Sequence, residues 1–153
     1  MTWRPTLQNG GRRYRLSAYA TDTGNGFVLD EIETGEHRQW SDFETGEDVQ
    51  ILPVHGESHH LPLLQDPDFA PGKRLQLYWE PNNPFDRNAI SIRNHLALTA
   101  CGYAPRELAA TIARRLGQGA TPLTFSMWQE IVDGTRVSLR ILIDWAGLVE
   151  PPA

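Results

Sequence analysis

The residues with chemistry to offer lie in two stretches, Glu80-Pro81-Asn82-Asn83-Pro84-Phe85-Asp86-Arg87-Asn88-Ala89-Ile90 and Gly102-Tyr103-Ala104-Pro105-Arg106-Glu107-Leu108. In the first, an aromatic ring stands beside a carboxylate inside a polar, proline-punctuated turn. A ring of this kind can stack on a nucleobase for about 1–3 kcal/mol, and a carboxylate can accept a hydrogen bond from a hydroxyl. The alternative is that Phe85 plugs the end of a barrel while Asp86 closes an Asx-turn on Asn88. In the second stretch a helix begins with Ala104 at the cap position, where Ser, Thr, Asp or Asn would ordinarily satisfy free N–H groups. Arg106 adds a cation at the positive end of the helix dipole, and a bound phosphate would answer both features. Glu107 and water are the competing answer. On these residues alone both pairs of readings stay open.

Other chemical readings are weaker. His55, His59 and His60 with Cys101 suggest metal, but there is neither a Cys pair nor a His-Glu-x-x-His helix, so no metal site is expected. On a strand His55 and His59 would share a face and serve as a stacking or polar surface. No phosphate loop, nucleophile elbow or dinucleotide-binding glycine pattern occurs, so neither a catalytic residue nor a cofactor is expected. Asp86 and Glu80 with nearby His could be drawn as a metal-dependent nuclease site, but scattered carboxylates are unremarkable in a chain with 19 Asp and Glu. Glu-Thr-Gly-Glu occurs at 33–36 and 44–47. It resembles a peptide motif read by kelch-type adaptor propellers, and turn chemistry at Gly35 and Gly46 explains both copies.

The elements that must hold the two stretches follow from periodicity. Lys73–Glu80 alternates, with Leu75, Leu77 and Trp79 on one face, and Pro81 and Pro84 stop that strand because they cannot donate to a ladder. Ile90 and Ile92 restart extended structure facing inward, and 95–103, ambiguous between strand and helix, is read as a strand because of its approach to Gly102. From Pro105 the period changes: Leu108, Ile112 and Leu116 recur every fourth residue, with Pro105 at the first helical position and Gly117 at the stop. Leu123, Phe125 and Met127, the Asp133-Gly134 turn signal, then Val137, Leu139, Ile141, Ile143 and Trp145 give a hairpin. Before the site, Gln50–Val54 is a short strand. Tyr14–Ala20 and Phe27–Leu29 form a hairpin about a turn at 23–26.

The expected fold is therefore mostly β: a small OB-like or SH3-like antiparallel β-barrel with one main α-helix at about 105–116, preceded by an N-terminal β-hairpin extension. Residues 1–50 are read as a β-rich extension and 51–148 as the barrel domain. The single cysteine excludes an internal disulfide framework. No signal-like apolar segment and no run of about eighteen apolar residues is present, so a soluble, cytoplasmic protein without a membrane partner is expected. The net charge of -5 does not advertise a nucleic-acid binder; Arg12, Arg13 and Arg15, and Arg106, Arg114 and Arg115, cluster locally, and a solvated face is the commoner reading of such runs.

The two stretches quoted first resemble the HIRAN domain, whose pattern is Glu-Pro-x-Asn-Pro-aromatic-Asp-x-Asn-Ala-Ile followed by Gly-Tyr-Val-Pro-[Arg/Lys]-Glu-x-Ala. Val54-His55-Gly56-Glu57-Ser58-His59-His60 looks like the family's opening Val-x-Gly segment. The motif core runs from about Val54 to Leu116, the 122–145 hairpin completes the barrel, and residues 1–50 fall outside. Such modules stand in front of fork-remodelling ATPases and occur as stand-alone or fused units in bacteria and phages. The resemblance implies an OB-like barrel that binds the free 3′ end of single-stranded DNA. Asp86 would accept the terminal 3′-hydroxyl, Phe85 would pack on the terminal base or sugar, Arg106 with the helix-start N–H groups would hold phosphate, and Tyr103 would line the pocket. His59 stands where an aromatic such as Tyr is expected and Ser58 where some members are basic. Imidazole stacks less strongly and changes charge near neutral pH, which implies weaker or more pH-dependent binding.

The reading is thus a non-catalytic DNA-binding module for 3′-hydroxyl ends in a repair or replication context, with a helicase, nuclease or other repair protein as a possible partner. A protein-interaction adaptor without nucleic-acid binding is the alternative.

Overall fold

The strongest sequence pattern makes the longest pairing. In a computed structural model, described over residues 3–56, 61–96 and 98–152, the strands Leu123–Val132 (β9) and Thr135–Asp144 (β10) form an antiparallel hairpin. Its two-residue turn has positive φ at Asp133 (50°) and Gly134 (78°), the backbone that matches the twist of paired strands. Around it lie Thr6–Asn9 (β1), Arg12–Thr21 (β2), Gly24–Glu31 (β3), His37–Arg38 (β4), Val49–Pro53 (β5), Arg74–Trp79 (β6), Ile90–Asn94 (β7) and Ala100–Tyr103 (β8). Two α-helices, the single turn Leu61–Leu64 (α1) and Arg106–Gly117 (α2), complete the set among the described residues.

All pairings are antiparallel, and the main path runs β1-β2-β3-β9-β6-β7-β8, with β10 on β5 and β9 and β4 on β3. The chain is mostly β with one main helix, as the sequence predicts. The ladder curls without closing. Its free β8 edge is joined to the residues leaving β5 by a two-bond bridge, His55 N–H to Tyr103 O at 2.7 Å and Tyr103 N–H to His55 O at 2.8 Å.

Strands β5, β9 and β10 are buried on both faces. Leu52, Ile141 and Ile143 point into a core with Leu75, Leu77, Ile90, Ile92 and the α2 residues Ala109, Ile112 and Ala113. Ile51, Phe125, Met127 and Leu142 point the other way, into a core roofed by Trp3, Tyr14, Phe27 and Phe43. Leu142, on the face opposite the Leu139-Ile141-Ile143 series, is therefore as buried as they are. Burial on both faces turns an alternating strand into a nearly continuous apolar run.

Two local expectations shift. The β2–β3 turn is at Asp22 and Thr23, and Gly24–Gly26 lie inside β3, where it crosses onto Trp128 and Glu130 of β9. A Cβ on Gly26 would collide with the Met127 carbonyl, so glycine is what lets the two strands meet. At α2 the cap is Pro105 rather than Ala104, and the helix runs one residue later than expected.

Candidate functional site

The turn between β6 and β7 is built by side chains bonding to backbone. Glu80 N–H donates to Ala89 O (2.9 Å) and Asn83 N–H to Glu80 O (3.0 Å), which closes the loop at its base. The Asn83 side chain then templates the tip: its Oδ1 accepts from the N–H groups of Phe85 (2.9 Å) and Asp86 (3.2 Å). Asp86 Oδ1 in turn accepts from Asn88 N–H at 2.9 Å, the Asx-turn read from the sequence. Trp79 Nε1–H donates to Arg87 O at 2.8 Å and ties the far limb to the strand. Pro81 and Pro84 have no N–H to satisfy, so the segment meets its hydrogen-bonding needs while protruding.

This geometry corrects one reading. Phe85 does not plug the barrel; its residue is 87% exposed. An immobilised tip holding a bare ring in water gains nothing from its burial, so the ring is free to meet a ligand.

Phe85, Asp86, Tyr103 and Arg106 line one open cleft of ≈ 510 Å³, with His55 and Asn83 beside them. The β6–β7 turn supplies two of the predicted residues, the end of β8 the third and the start of α2 the fourth. Arg106 Nε stands 3.9 Å from Asp86 Oδ2, a loose pair in which the guanidinium side chain remains 81% exposed. Neither group is saturated by the other. Helix α2 has no side-chain cap, and the Pro105 carbonyl accepts from both Leu108 and Ala109 N–H (3.0 and 3.1 Å). The Arg106 side chain at this helix start lies beside the Asp86 carboxylate in the same cleft. The cleft offers a stacking face, a hydrogen-bond acceptor and a cation within one small volume. His59 and Ser58 lie outside the described residues.

Behind the rim sits a cluster centred on Glu80. Its Oε1 accepts from Asn83 Nδ2 (2.9 Å) and from the Tyr103 hydroxyl (3.2 Å), and its Oε2 from Arg93 Nη2 (3.0 Å). Burial alone would push the Glu80 carboxyl up. Hydrogen bonds from Asn83, Ser91, Arg93 and Tyr103 outweigh it and hold the group below its ordinary value of 4.5. Tyr103 is pushed the other way by burial and by the adjacent Glu80 charge, which keeps it a phenol that donates. Sequence reasoning gave Tyr103 a place in the pocket and missed Glu80 and Arg93 as its supports. The pairing Tyr78–Ser91–Tyr103 across β6, β7 and β8 carries that information, and register is what a linear pattern lacks.

The arginine clusters disperse. Arg12 pairs with Glu31 (2.9 Å), Arg13 with Glu33 (2.7 Å), and Arg115 lies over the Trp145 ring at 3.9 Å. Among the described residues no three His, Cys, Asp or Glu side chains group as metal ligands.

Comparison with known proteins gives one family: the HIRAN domain model matches residues 38–146, which take in β5, the β6–β7 turn, α2 and the β9–β10 hairpin. Among solved structures, the crystal structure of the HIRAN domain of human HLTF is similar at 19% identity and TM-score 0.45, over 62% of this chain and 74% of that one. A protein from Lactobacillus plantarum is similar at 23% identity and TM-score 0.43, over 61% and 89%. No curated protein matches the chain.

Proposed function

The chain belongs to the HIRAN domain family, and on that premise we propose that it is a non-catalytic, cytoplasmic module that binds the free 3′-hydroxyl end of single-stranded DNA in repair or replication. The observation that carries the reading is the convergence of an exposed Phe85 ring, the Asp86 carboxylate and Arg106 on one cleft at an uncapped helix start. In this reading Phe85 stacks on the terminal base or sugar, and Arg106 with the first amides of α2 holds the adjoining phosphate. Asp86 accepts the terminal hydroxyl, Tyr103 lines the pocket, and His59 supplies a further ring. Selectivity comes from repulsion as well as attraction, since a 3′-phosphate sets its charge against Asp86 where a hydroxyl donates to it.

The test is fluorescence anisotropy of the wild-type protein with a labelled single strand ending in a 3′-hydroxyl and with the same strand ending in a 3′-phosphate. The expected result is tighter binding of the hydroxyl end, an affinity that falls steeply with salt, and a strand that stays intact with divalent metal. Cleavage of the strand would replace the binder with a nuclease. The net charge of -5 and the bare Phe85 ring favour a second reading, a protein-interaction adaptor. No binding of either strand at low salt would establish it over the first.

A further inference from the structure

The outward face of the β6–β7 hairpin connects the cleft to a second, cationic pocket. Along β6, Leu75 and Leu77 point into the core, so Arg74, Gln76 and Tyr78 share the outer face. Register places Ser91 opposite Tyr78 and Arg93 opposite Gln76 on that same face, and Tyr103 opposite Ser91. Arg93 lies over the Tyr78 ring at 4.0 Å, and both it and Tyr103 bond to Glu80. A line formed by Tyr103, the Glu80-paired Arg93 and Tyr78 therefore leaves the cleft and crosses toward Arg74 at the start of β6.

At the far end, Lys73, Arg74 and His95 line a pocket of ≈ 500 Å³ together with Trp3 and Phe27 of the N-terminal layer. Among the described residues neither Lys73 nor Arg74 nor His95 is in an ion pair, no carboxylate lines the pocket, and Arg74 Nε is buried without a hydrogen-bond partner. In a chain of net charge -5, the unpaired cations Lys73 and Arg74 beside the His95 ring are complementary to the phosphates of an anionic strand. The length of β6 separates the pocket from the cleft by about 17 Å, roughly five nucleotides at a stacked spacing of about 3.4 Å.

We infer that this face is a track for the single strand on the 5′ side of the captured end, running from Tyr103 over Arg93 and Tyr78 to phosphate contacts at Lys73, Arg74 and His95. The inference rests on the 3′-end reading for the strand's direction, and it assigns the N-terminal layer a role: Trp3 and Phe27 wall the distal contact.

The test measures anisotropy with 3′-hydroxyl strands of about three and about ten nucleotides, using wild type, Lys73→Glu and Arg74→Gln. Lys73 is exposed, so its substitution leaves folding intact. The expected result is that each variant binds the long strand about tenfold more weakly, with a salt slope smaller by about 0.7 per lost contact. Affinity for the short strand and the hydroxyl-over-phosphate preference stay as in wild type. Lys73 is the only lysine in the chain, so a second readout is its protection from amine modification by the long strand and not by the short one. Equal affinities for both lengths, unchanged long-strand binding in the variants, or an unprotected Lys73 would overturn the track. Long-strand binding that depends on Lys73 without end preference would remove the 3′-end reading and leave the track as a general single-strand groove.

Discussion

The β6–β7 turn has two sides that differ in how their polar groups are spent. On the inner side Glu80 takes hydrogen bonds from Asn83, Arg93 and Tyr103, so every strong donor in reach is matched. On the rim Asp86 has one oxygen on Asn88 N–H and the other only loosely near Arg106, α2 has no side-chain cap, and Phe85 touches water. The difference separates support from function: saturated groups fix a shape, and unsaturated groups at the edge of that shape are the ones with free energy left to give a ligand.

That separation can be broken first at Glu80. Glu80→Ala leaves the half-buried Arg93 with only the neutral acceptors Ser91 Oγ and Leu98 O and the Tyr103 hydroxyl without its acceptor, and should cost about 3 kcal/mol in a urea unfolding curve. A loss below about 0.5 kcal/mol, the range of neutral surface changes, would show that the cluster supports nothing. Phe85→Ala should do the opposite, leaving the unfolding midpoint within about 0.5 kcal/mol of wild type while weakening single-strand binding by about 2 kcal/mol. If instead stability fell and binding held, rim and support would have exchanged roles.

Asn83→Ala tests the link between the sides, because the same side chain donates to Glu80 and accepts from the two amides of the tip. It should cost about 1.5 kcal/mol and also weaken binding, since the ring and carboxylate lose their fixed positions. The smallest effect is on pH. The Glu80 carboxyl lies below 4.5 in the folded protein, so its contribution is fully present above the unfolded value and is lost as pH falls from there through the folded value. Unfolding curves across that window should show wild type losing stability faster than Glu80→Gln, and parallel curves would contradict the assignment.

How much of this was legible in the chain depended on whether it was local. The helix, the Asp133-Gly134 turn and the strand before Pro81 each announce themselves within a few residues, and the structure has all three in place. Phe85, Asp86, Tyr103 and Arg106 could be singled out because they belong to the Glu-Pro-x-Asn-Pro and Gly-Tyr segments, and the structure brings them to one cleft. Glu80 and Arg93 could not be joined that way, since their contact needs the β6–β7–β8 register. The N-terminal hairpin was visible, but its pairing with β9 through Gly24–Gly26 was hidden because Gly-Asn-Gly reads as a turn until the strand it lies against is known. The partners of clustered charges were hidden for the same reason: Arg12 and Arg13 find Glu31 and Glu33 on the neighbouring chain segment.

The most direct test of the cleft as an end reader is the ratio of affinities for 3′-hydroxyl and 3′-phosphate strands in Asp86→Ala against wild type. Removing the carboxylate takes away both the acceptor for the hydroxyl and the charge that repels the phosphate, so the account predicts that the wild-type preference collapses toward unity, with weaker hydroxyl binding and stronger phosphate binding. A variant that keeps the wild-type ratio would contradict it, and would place the reading of the end on some group other than Asp86.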